Sequence, residues 1–428
     1  MRVQTPSSIE LLLRERGVRM RIGVAEAQQA LAAALINANP AVERVGLSEA
    51  HGRCLAEDIH IGHSLPPFAN SAMDGYACRH ADLQQTALQL IGESRAGARF
   101  VGQLGAGQCV RISTGAMVPD GADTVVIQED TTRSGDQVQV TQIPRIGANI
   151  RLKGEECAAG TRLLKRGLRL DARGLALAAS AGRAQLRVVA RPRVAIISTG
   201  DELATPNQPL AAGQIYDSNA TLLHALLLEA GAHPLPSQAT ADDPQRLALA
   251  LQGAANSADL LITTGGASVG DHDHMPQLLA QHGCVHFWKV RMKPGMPVLF
   301  GEFAGKPLLA LPGNPVSVFI SFRVLAQAAI QAWQGLVPAD PVRWPARLLA
   351  PLRKTHARAE YLRAVYRVDA QGQLWVRPLL AQESHRSLSL MQASVLLNLP
   401  EGPIDLPAGA IINIEPLFQA AQAETDWE

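Results

Sequence analysis

Four short stretches each follow a run of apolar residues, and together they hold most of the side chains able to do chemistry. Gly200-Asp201-Glu202 follows VAIIST, and the glycine-rich segment from Gly265 and Gly266 through Ser268 to Asp271 follows DLLITT. Met292-Lys293-Pro294-Gly295 follows HFWKVR, and Asn314-Pro315 follows PLLALPG. In parallel sheets flanked by helices, ligands bind beyond the carboxyl ends of the strands, which is where these stretches fall. Gly265 and Gly266 let backbone N–H groups approach a phosphate or a polar ring, and they equally suit a tight turn. In Pro312-Gly313-Asn314-Pro315 the last proline fits the first position of a helix, whose N-terminus then faces an anion or simply ends a rigid turn.

Charge gathers at the same edge. Lys289, Arg291 and Lys293 alternate with Val290 and Met292, so a period of two places all three cations on one strand face, toward water or toward an anion. Asp201, Glu202, Asp242, Asp243, Asp271 and Asp273 supply carboxylates, of which Mg²⁺ commonly takes one or two beside phosphate oxygens. Asp242 or Asp243 before Pro244, and also Asp271, suit helix N-caps. His272 and His274 flank Asp273 without a partner cluster, so zinc is excluded. NSAMDGYA (70–77) and Ser113-Thr114-Gly115-Ala116 read singly as turns.

The elements that must position these residues change in texture along the chain. Val24, Ala27, Leu31, Ala34 and Leu35 predict an amphipathic helix over 22–36 that Asn39-Pro40 stops. Short β-type runs follow from Pro66 to Lys153, and a second helix starts at an Asp171 N-cap and ends at Gly182. Helix and strand alternate from Arg191, with apolar runs suited to a parallel sheet covered on both faces. Short strands resume after the Pro-rich joint at 337–345. The expected division is a domain of 1–65 plus 154–190, an inserted β lobe of 66–153, an αβα domain of 191–340 and a C-terminal β domain of 341–428.

Composition removes several classes of function. The 428 residues carry 39 Lys+Arg against 38 Asp+Glu, a net charge of +1, so no global field favours nucleic acid. Five scattered cysteines without CxxC spacing fit a reducing cytoplasm. The N-terminus lacks a signal peptide's apolar core, and no apolar run is expected to span a membrane.

The segments PPFANSAMDGYA, RISTGAMVPDGADTVV, GANIRLKGEE, VAIISTGDEL, GQIYDSNATLL, DLLITTGGASVGDHD, FWKVRMKPGMP and LPGNPVSV closely resemble, in order, the molybdopterin molybdenumtransferase family, the MoeA proteins of molybdenum-cofactor biosynthesis. The resemblance covers roughly residues 60 to 325 and thins at both ends. It implies four domains, with a central αβα three-layer domain, an inserted β lobe and a small C-terminal β-barrel, and an elongated homodimer. It implies that adenylylated molybdopterin and molybdate give molybdenum cofactor and AMP, assisted by Mg²⁺. Glu202, Asp242, Asp273, Lys289, Lys293, Pro312 and Pro315 would line the site, with Gly265, Gly266, Ser268, Gly313 and Asn314 binding substrate. Glu202, Asp242 and Asp273 are the metal candidates, and Asp74 and Thr114 would reach the site from the β lobe of a partner subunit. The resemblance further implies a molybdopterin adenylyltransferase and molybdoenzyme targets as partners.

Departures from the family pattern are Glu156, where Asp is frequent after GE, and Ser394, where Asn is frequent. Arg363 and Ser387 are the C-terminal candidates for oxyanion contact. Two rivals stand beside this reading: the adenylyltransferase itself, which shares the TTGG and PGNP stretches but needs only one αβα unit, and a non-catalytic pterin carrier or scaffold. The lobes bearing NSAMDGYA and STGA argue against the first, and the lack of a second αβα domain and of a long linker argues against the second.

Overall fold

A computed structural model of the chain describes residues 8–36, 40–266, 274–336 and 341–417. Ser268, Asp271, His272 and Asp273 therefore lie outside the described residues. Two compact units emerge: Met1–Arg44, Gly52–Ala56 and Arg187–Glu428 form one, Val45–His51 and Glu57–Leu186 the other.

The first unit is built on a sheet whose strands run, in spatial order, Arg19–Ile22, Gly283–Val290, Leu299–Phe303, Lys306–Leu311, Leu260–Thr264, Arg193–Thr199 and His233–Pro234. Central strands covered on both sides can be apolar throughout, and alternation then sends neighbours to opposite layers. Ile196, Ile262 and Leu309 join one core with the helices Val24–Ile36 and Ser218–Glu229. Ile197, Leu261 and Leu308 join the other with Pro244–Ala255 and Met275–His282. Burying a leucine such as Leu223 or Leu251 contributes about 1.5–3 kcal/mol each. Asp217 and Asp243 cap their helices by accepting from the amides of Ala220 and Arg246 at 3.0 and 2.8 Å.

One expectation for this sheet needs correction. Leu299–Phe303 runs antiparallel to both its neighbours, so the sheet is mixed rather than parallel. Its turn explains why: Ala304 and Gly305 both take positive φ (50° and 72°), as a tight hairpin requires, and a hairpin reverses the chain with no crossover helix.

The helical run Pro315–Trp333, 19 residues with a π-helical stretch at Phe322–Ala326, is long and apolar enough by length and composition to cross a membrane, contrary to expectation. Its Val316, Val318, Ile320, Phe322, Leu325 and Ile330 are buried against the sheet, which makes it a core helix.

The segment before Val24 carries no motif, yet it is part of this unit. A helix over Ser8–Glu15 buries Leu13 (1% exposed) with Leu278 and Leu279, and Arg19–Ile22 adds a parallel strand beside Gly283–Val290.

The C-terminal region closes five strands into a barrel, Ala359–Val368, Leu374–Pro378, Trp344–Leu348, Ile411–Pro416 and Val395–Leu399, the last pairing back with the first. Its core holds Leu348, Ala364, Val376, Leu397 and Ile414. The two-residue strand Met292–Lys293 pairs in parallel with Ala359–Glu360 and joins barrel to αβα layer.

The second unit contains a six-stranded sheet ordered Thr124–Ile127, Gly75–Cys78, Gln108–Ile112, Leu88–Ser94, Gln137–Val140 and Thr131–Ser134, the β lobe expected between 66 and 153. Its helix Ala172–Ser180 has the Asp171 cap, accepting from the Gly174 amide at 2.9 Å. Cys54, Cys78, Cys109, Cys157 and Cys284 are all free.

Candidate active site at the carboxyl edge of the sheet

Arg193–Thr199, Leu260–Thr264 and Lys306–Leu311 are parallel, and two successive antiparallel pairings bring Gly283–Val290 into the same sense. The described parts of the four stretches after these strands therefore share one edge. Close packing there explains the glycine at 265. A Cβ on Gly265 (φ +91°) would stand 2.5 Å from the Thr199 carbonyl oxygen, so only glycine lets these strand ends meet. Asn219, from the helix Ser218–Glu229, ties two of the loops together. Its Nδ2 donates to Thr264 Oγ1 at 3.0 Å and to the Gly313 carbonyl at 2.6 Å, while Thr264 Oγ1 donates to the Pro312 carbonyl at 3.1 Å. Sequence reasoning missed Asn219 although DSNATLL contains it.

The expected helix start at Pro315 is present, with Asn314 before it. Its first free amide is already engaged: Val316 N–H donates to the Ser384 carbonyl at 3.2 Å, and Asn314 Nδ2 donates to Ser384 Oγ at 3.0 Å. A barrel loop thus docks on the turn. Between turn and barrel lies a cavity of about 370 Å³, lined by Lys293 to Pro297, Pro312, Asn314, Ser317, Arg358, Glu360 and Gln382 to Ser384. That is ample for a small anion with its water.

The three alternating cations do not share one face. Lys289 is buried (4% exposed), takes a left-handed φ of 65°, pairs with Glu10 of the N-terminal helix and lies over the Trp288 ring at 4.5 Å. Arg291 pairs with Glu401 at 2.8 Å and donates to the Arg21 carbonyl at 2.7 Å. Lys293 alone lines the cavity, with its Nζ 2.7 Å from Glu360 Oε1. The left-handed residue breaks the period of two on which the single-face reading rested. Each cation instead meets a carboxylate from a different segment, so the run laces N-terminal helix and barrel to the sheet.

The oxyanion candidates of the barrel also shift. Arg363 is 1% exposed and its guanidinium serves backbone carbonyls, donating to Ala381 at 2.9 Å and Glu383 at 3.5 Å. Gln382 locks the same loop by donating to the carbonyls of Arg363 and Leu379, both at 2.8 Å. Ser387 does not line the cavity; Ser384 and Arg358 do. No carboxylate among the described residues pairs with Arg358, leaving a fork of donors that suits an oxyanion. These residues were invisible beforehand because their place depends on the register Lys293↔Glu360.

Of the remaining candidates, Glu202 is exposed beyond its strand, and the Asp242 amide donates to Asp201 Oδ1 at 3.2 Å. Among the described residues no three His, Cys, Asp or Glu side chains converge as a metal cluster. In the second unit, the amide and Oγ1 of Thr114 both donate to Asp74 Oδ1, at 2.6 and 3.0 Å. The amide bond first and the hydroxyl second hold the Asp74 carboxyl below its ordinary pKa.

Comparison with known proteins agrees with this arrangement. Residues 22–182 match the MoeA N-terminal region (domain I and II), 195–332 a probable molybdopterin binding domain, and 345–417 the MoeA C-terminal region (domain IV). A crystal structure of the molybdopterin biosynthesis MoeA protein from Pyrococcus horikoshii superposes with a TM-score of 0.77 at 28% identity, covering 92% of this chain and 99% of that one. The molybdopterin molybdenumtransferase of Haemophilus influenzae is 36% identical over 87% of this chain and 93% of its own length. That of Bacillus subtilis is 33% identical over 90% and 92%. With the glycine-fitted strand edge, the barrel docked on it and the match along nearly the whole length of such relatives, the chain belongs to the molybdopterin molybdenumtransferase family, transferases of molybdenum-cofactor biosynthesis.

Proposed function

We propose that the chain transfers molybdate into adenylylated molybdopterin, forming molybdenum cofactor and releasing AMP, and that the cavity between sheet edge and barrel receives the oxyanion. The observation that carries this is Arg358, which no carboxylate among the described residues pairs, lining the same cavity as Lys293 and Ser384. Molybdate is a tetrahedral dianion, and two cations with a hydroxyl donor offset its charge and fix its orientation. The strand-end loops at Gly265-Gly266 and Pro312–Pro315 then offer close approach to the pterin nucleotide, with the Gly265 amide itself engaged by the Leu311 carbonyl at 3.2 Å. The dithiolene sulfurs of the substrate can attack the metal centre directly, so the protein's work is positioning and neutralisation.

Mg²⁺ belongs to the same reading. The donors at hand are oxygen carboxylates, the chemistry Mg²⁺ selects, and it needs only one or two of them with substrate phosphates. Glu202 and Asp242 would hold it, and when bound it polarises the phosphoanhydride cleaved as AMP leaves. We further take the active form to be a homodimer, which light scattering of the purified protein at micromolar concentration checks.

The test is AMP release from purified adenylylated molybdopterin, with Mg²⁺ throughout and molybdate present or absent. Molybdate-dependent release with cofactor formed in step is expected. Tight pterin-nucleotide binding without release under either condition would leave a carrier and sink the transferase reading.

A further inference from the structure

A second and larger cavity, of about 1080 Å³, takes no part in oxyanion capture. It is a groove between the helix Val24–Ile36, the helical run Pro315–Trp333 and the barrel strands Val395–Leu399 and Ile411–Pro416, all within the first unit. Its walls mix apolar, amide and cationic groups. Val342 is 64% exposed, a large apolar side chain left to water beside Trp344. The side-chain amides of Gln29, Gln327 and Gln331 bond no other group among the described residues, and no carboxylate among them pairs with Arg343. Glu415 would repel an acidic guest, but both its oxygens are engaged, Oε1 by Arg323 and Oε2 by Asn398, each at 3.0 Å. Arg323, Arg343 and Glu415 are the charged residues among the described lining, so Arg343 sets the sign of the charge on offer.

A guest for this groove begins at its wall. Glu415, Pro416 and Leu417 belong to the lining, and Leu417 is the last described residue, so residues 418–428, FQAAQAETDWE, depart from the rim. That segment carries Glu424, Asp426 and Glu428 with no basic residue, and it holds Phe418 and Trp427 in a chain whose residues are only 4% aromatic. An acidic stretch rich in Ala and Gln stays in water by itself, and the aromatic side chains give it surface worth burying. Fully extended, residues 418–427 reach about 35 Å, ample to cross the groove. Tethering favours this guest over a second copy: a segment held at the rim by a short linker has an effective concentration in the millimolar range, far above that of a free chain at micromolar concentration.

We infer that residues 418–428 dock back into this groove, seating Trp427 against Val342 and Trp344 and setting their carboxylates against Arg343, while the glutamine amides take peptide groups. Tyr361 lines this groove as well as the smaller cavity, so the docked segment backs a wall of the oxyanion site. The inference goes beyond the proposed function and stands whether or not the oxyanion occupies the smaller cavity.

The experiment is ¹⁹F NMR of the full chain labelled with fluorotryptophan, its five resonances assigned by single Trp→Phe variants. The Trp427 line should be as broad as those of the folded body and should not change on dilution. Arg343→Glu should lower the ratio of docked to free segment about three- to tenfold, read as a narrowed Trp427 line, and adding Glu424→Lys with Asp426→Lys should restore the width. Ala328→Tyr, which fills the groove from its helix, should free the segment whatever its charge. Deleting residues 418–428 should shift the Trp344 line and leave those of the buried Trp288 and of Trp375, which is hydrogen-bonded to Asp369, in place. The same two unmoved lines show that each variant is folded. A narrow Trp427 line in the wild type, a broad one that neither Arg343→Glu nor Ala328→Tyr alters, or one that narrows on dilution, as for a segment seated on a second copy, overturns the inference.

Discussion

Lys289 and Lys293 stand four residues apart in one basic run, and each meets a largely buried carboxylate, yet the two pairs do different work. The Lys289 side chain is 5% exposed and its partner Glu10 6%, while the Lys293 side chain is 44% exposed beside a Glu360 at 9%. A pair closed on both sides has no face left for a ligand and can only fasten segments together. A pair open on its cationic side keeps donors available. Burial, rather than residue type or ion pairing, separates the fastener from the candidate site.

The comparison breaks most sharply if Lys289 is neutralised. Lys289→Met removes the closest counter-ion of the buried Glu10, which also has Arg21 at 3.9 Å, and should cost about 3–5 kcal/mol in denaturant unfolding. Adding Glu10→Leu should recover most of that loss, because an apolar pair of similar volume is often no worse than a buried ion pair. A single variant as stable as wild type would mean that the N-terminal helix is not fastened there. Lys293→Met should do the reverse. Its stability should fall by only about 1 kcal/mol, as for a half-exposed pair, while molybdate-dependent AMP release falls about a hundredfold, as on removing one charge-stabilising donor. Equal loss of fold in the two variants would erase the distinction.

How far this contrast was legible in the sequence follows from the range of the interactions. The apolar runs, the Asp171 cap, the helix start at Pro315 and the shared edge of strand ends depend on neighbours within a few residues, and the structure has them. Glu10 lies 279 residues from Lys289, and nothing local marks a carboxylate in SIELLLRE as that lysine's counter-ion. The left-handed backbone at Lys289 likewise defeats the period of two that put three cations on one face. Arg358 and Ser384 reach the cavity only because Met292–Lys293 pairs with Ala359–Glu360, whereas Arg363, the more conspicuous arginine, serves its own loop.

Two smaller effects sharpen the picture of the edge. Asn219→Ala removes the bridge between Thr264 and the Gly313 carbonyl, and should cost about 1–2 kcal/mol while raising KM for the pterin nucleotide more than it lowers kcat. An unchanged KM would show that the two loops hold their places without it. The smallest effect concerns Asp74. Its folded pKa is depressed, so the hydrogen bonds from Thr114 stabilise the fold above the ordinary carboxylate value of about 3.9 and are lost as pH falls through the folded value. Carboxyl ¹³C titration should place Asp74 below the ordinary carboxylate value, and Thr114→Val should return it partway toward that value. A normal Asp74 titration would mean that the two bonds are not held in solution.

The most direct measurement is anomalous diffraction from a crystal of the protein soaked in molybdate. The account predicts one strong molybdenum peak in the cavity between the sheet edge and the barrel, its oxygens within hydrogen-bonding distance of Lys293, Arg358 and Ser384. A peak elsewhere along the edge, or none in a crystal of active protein, would contradict it.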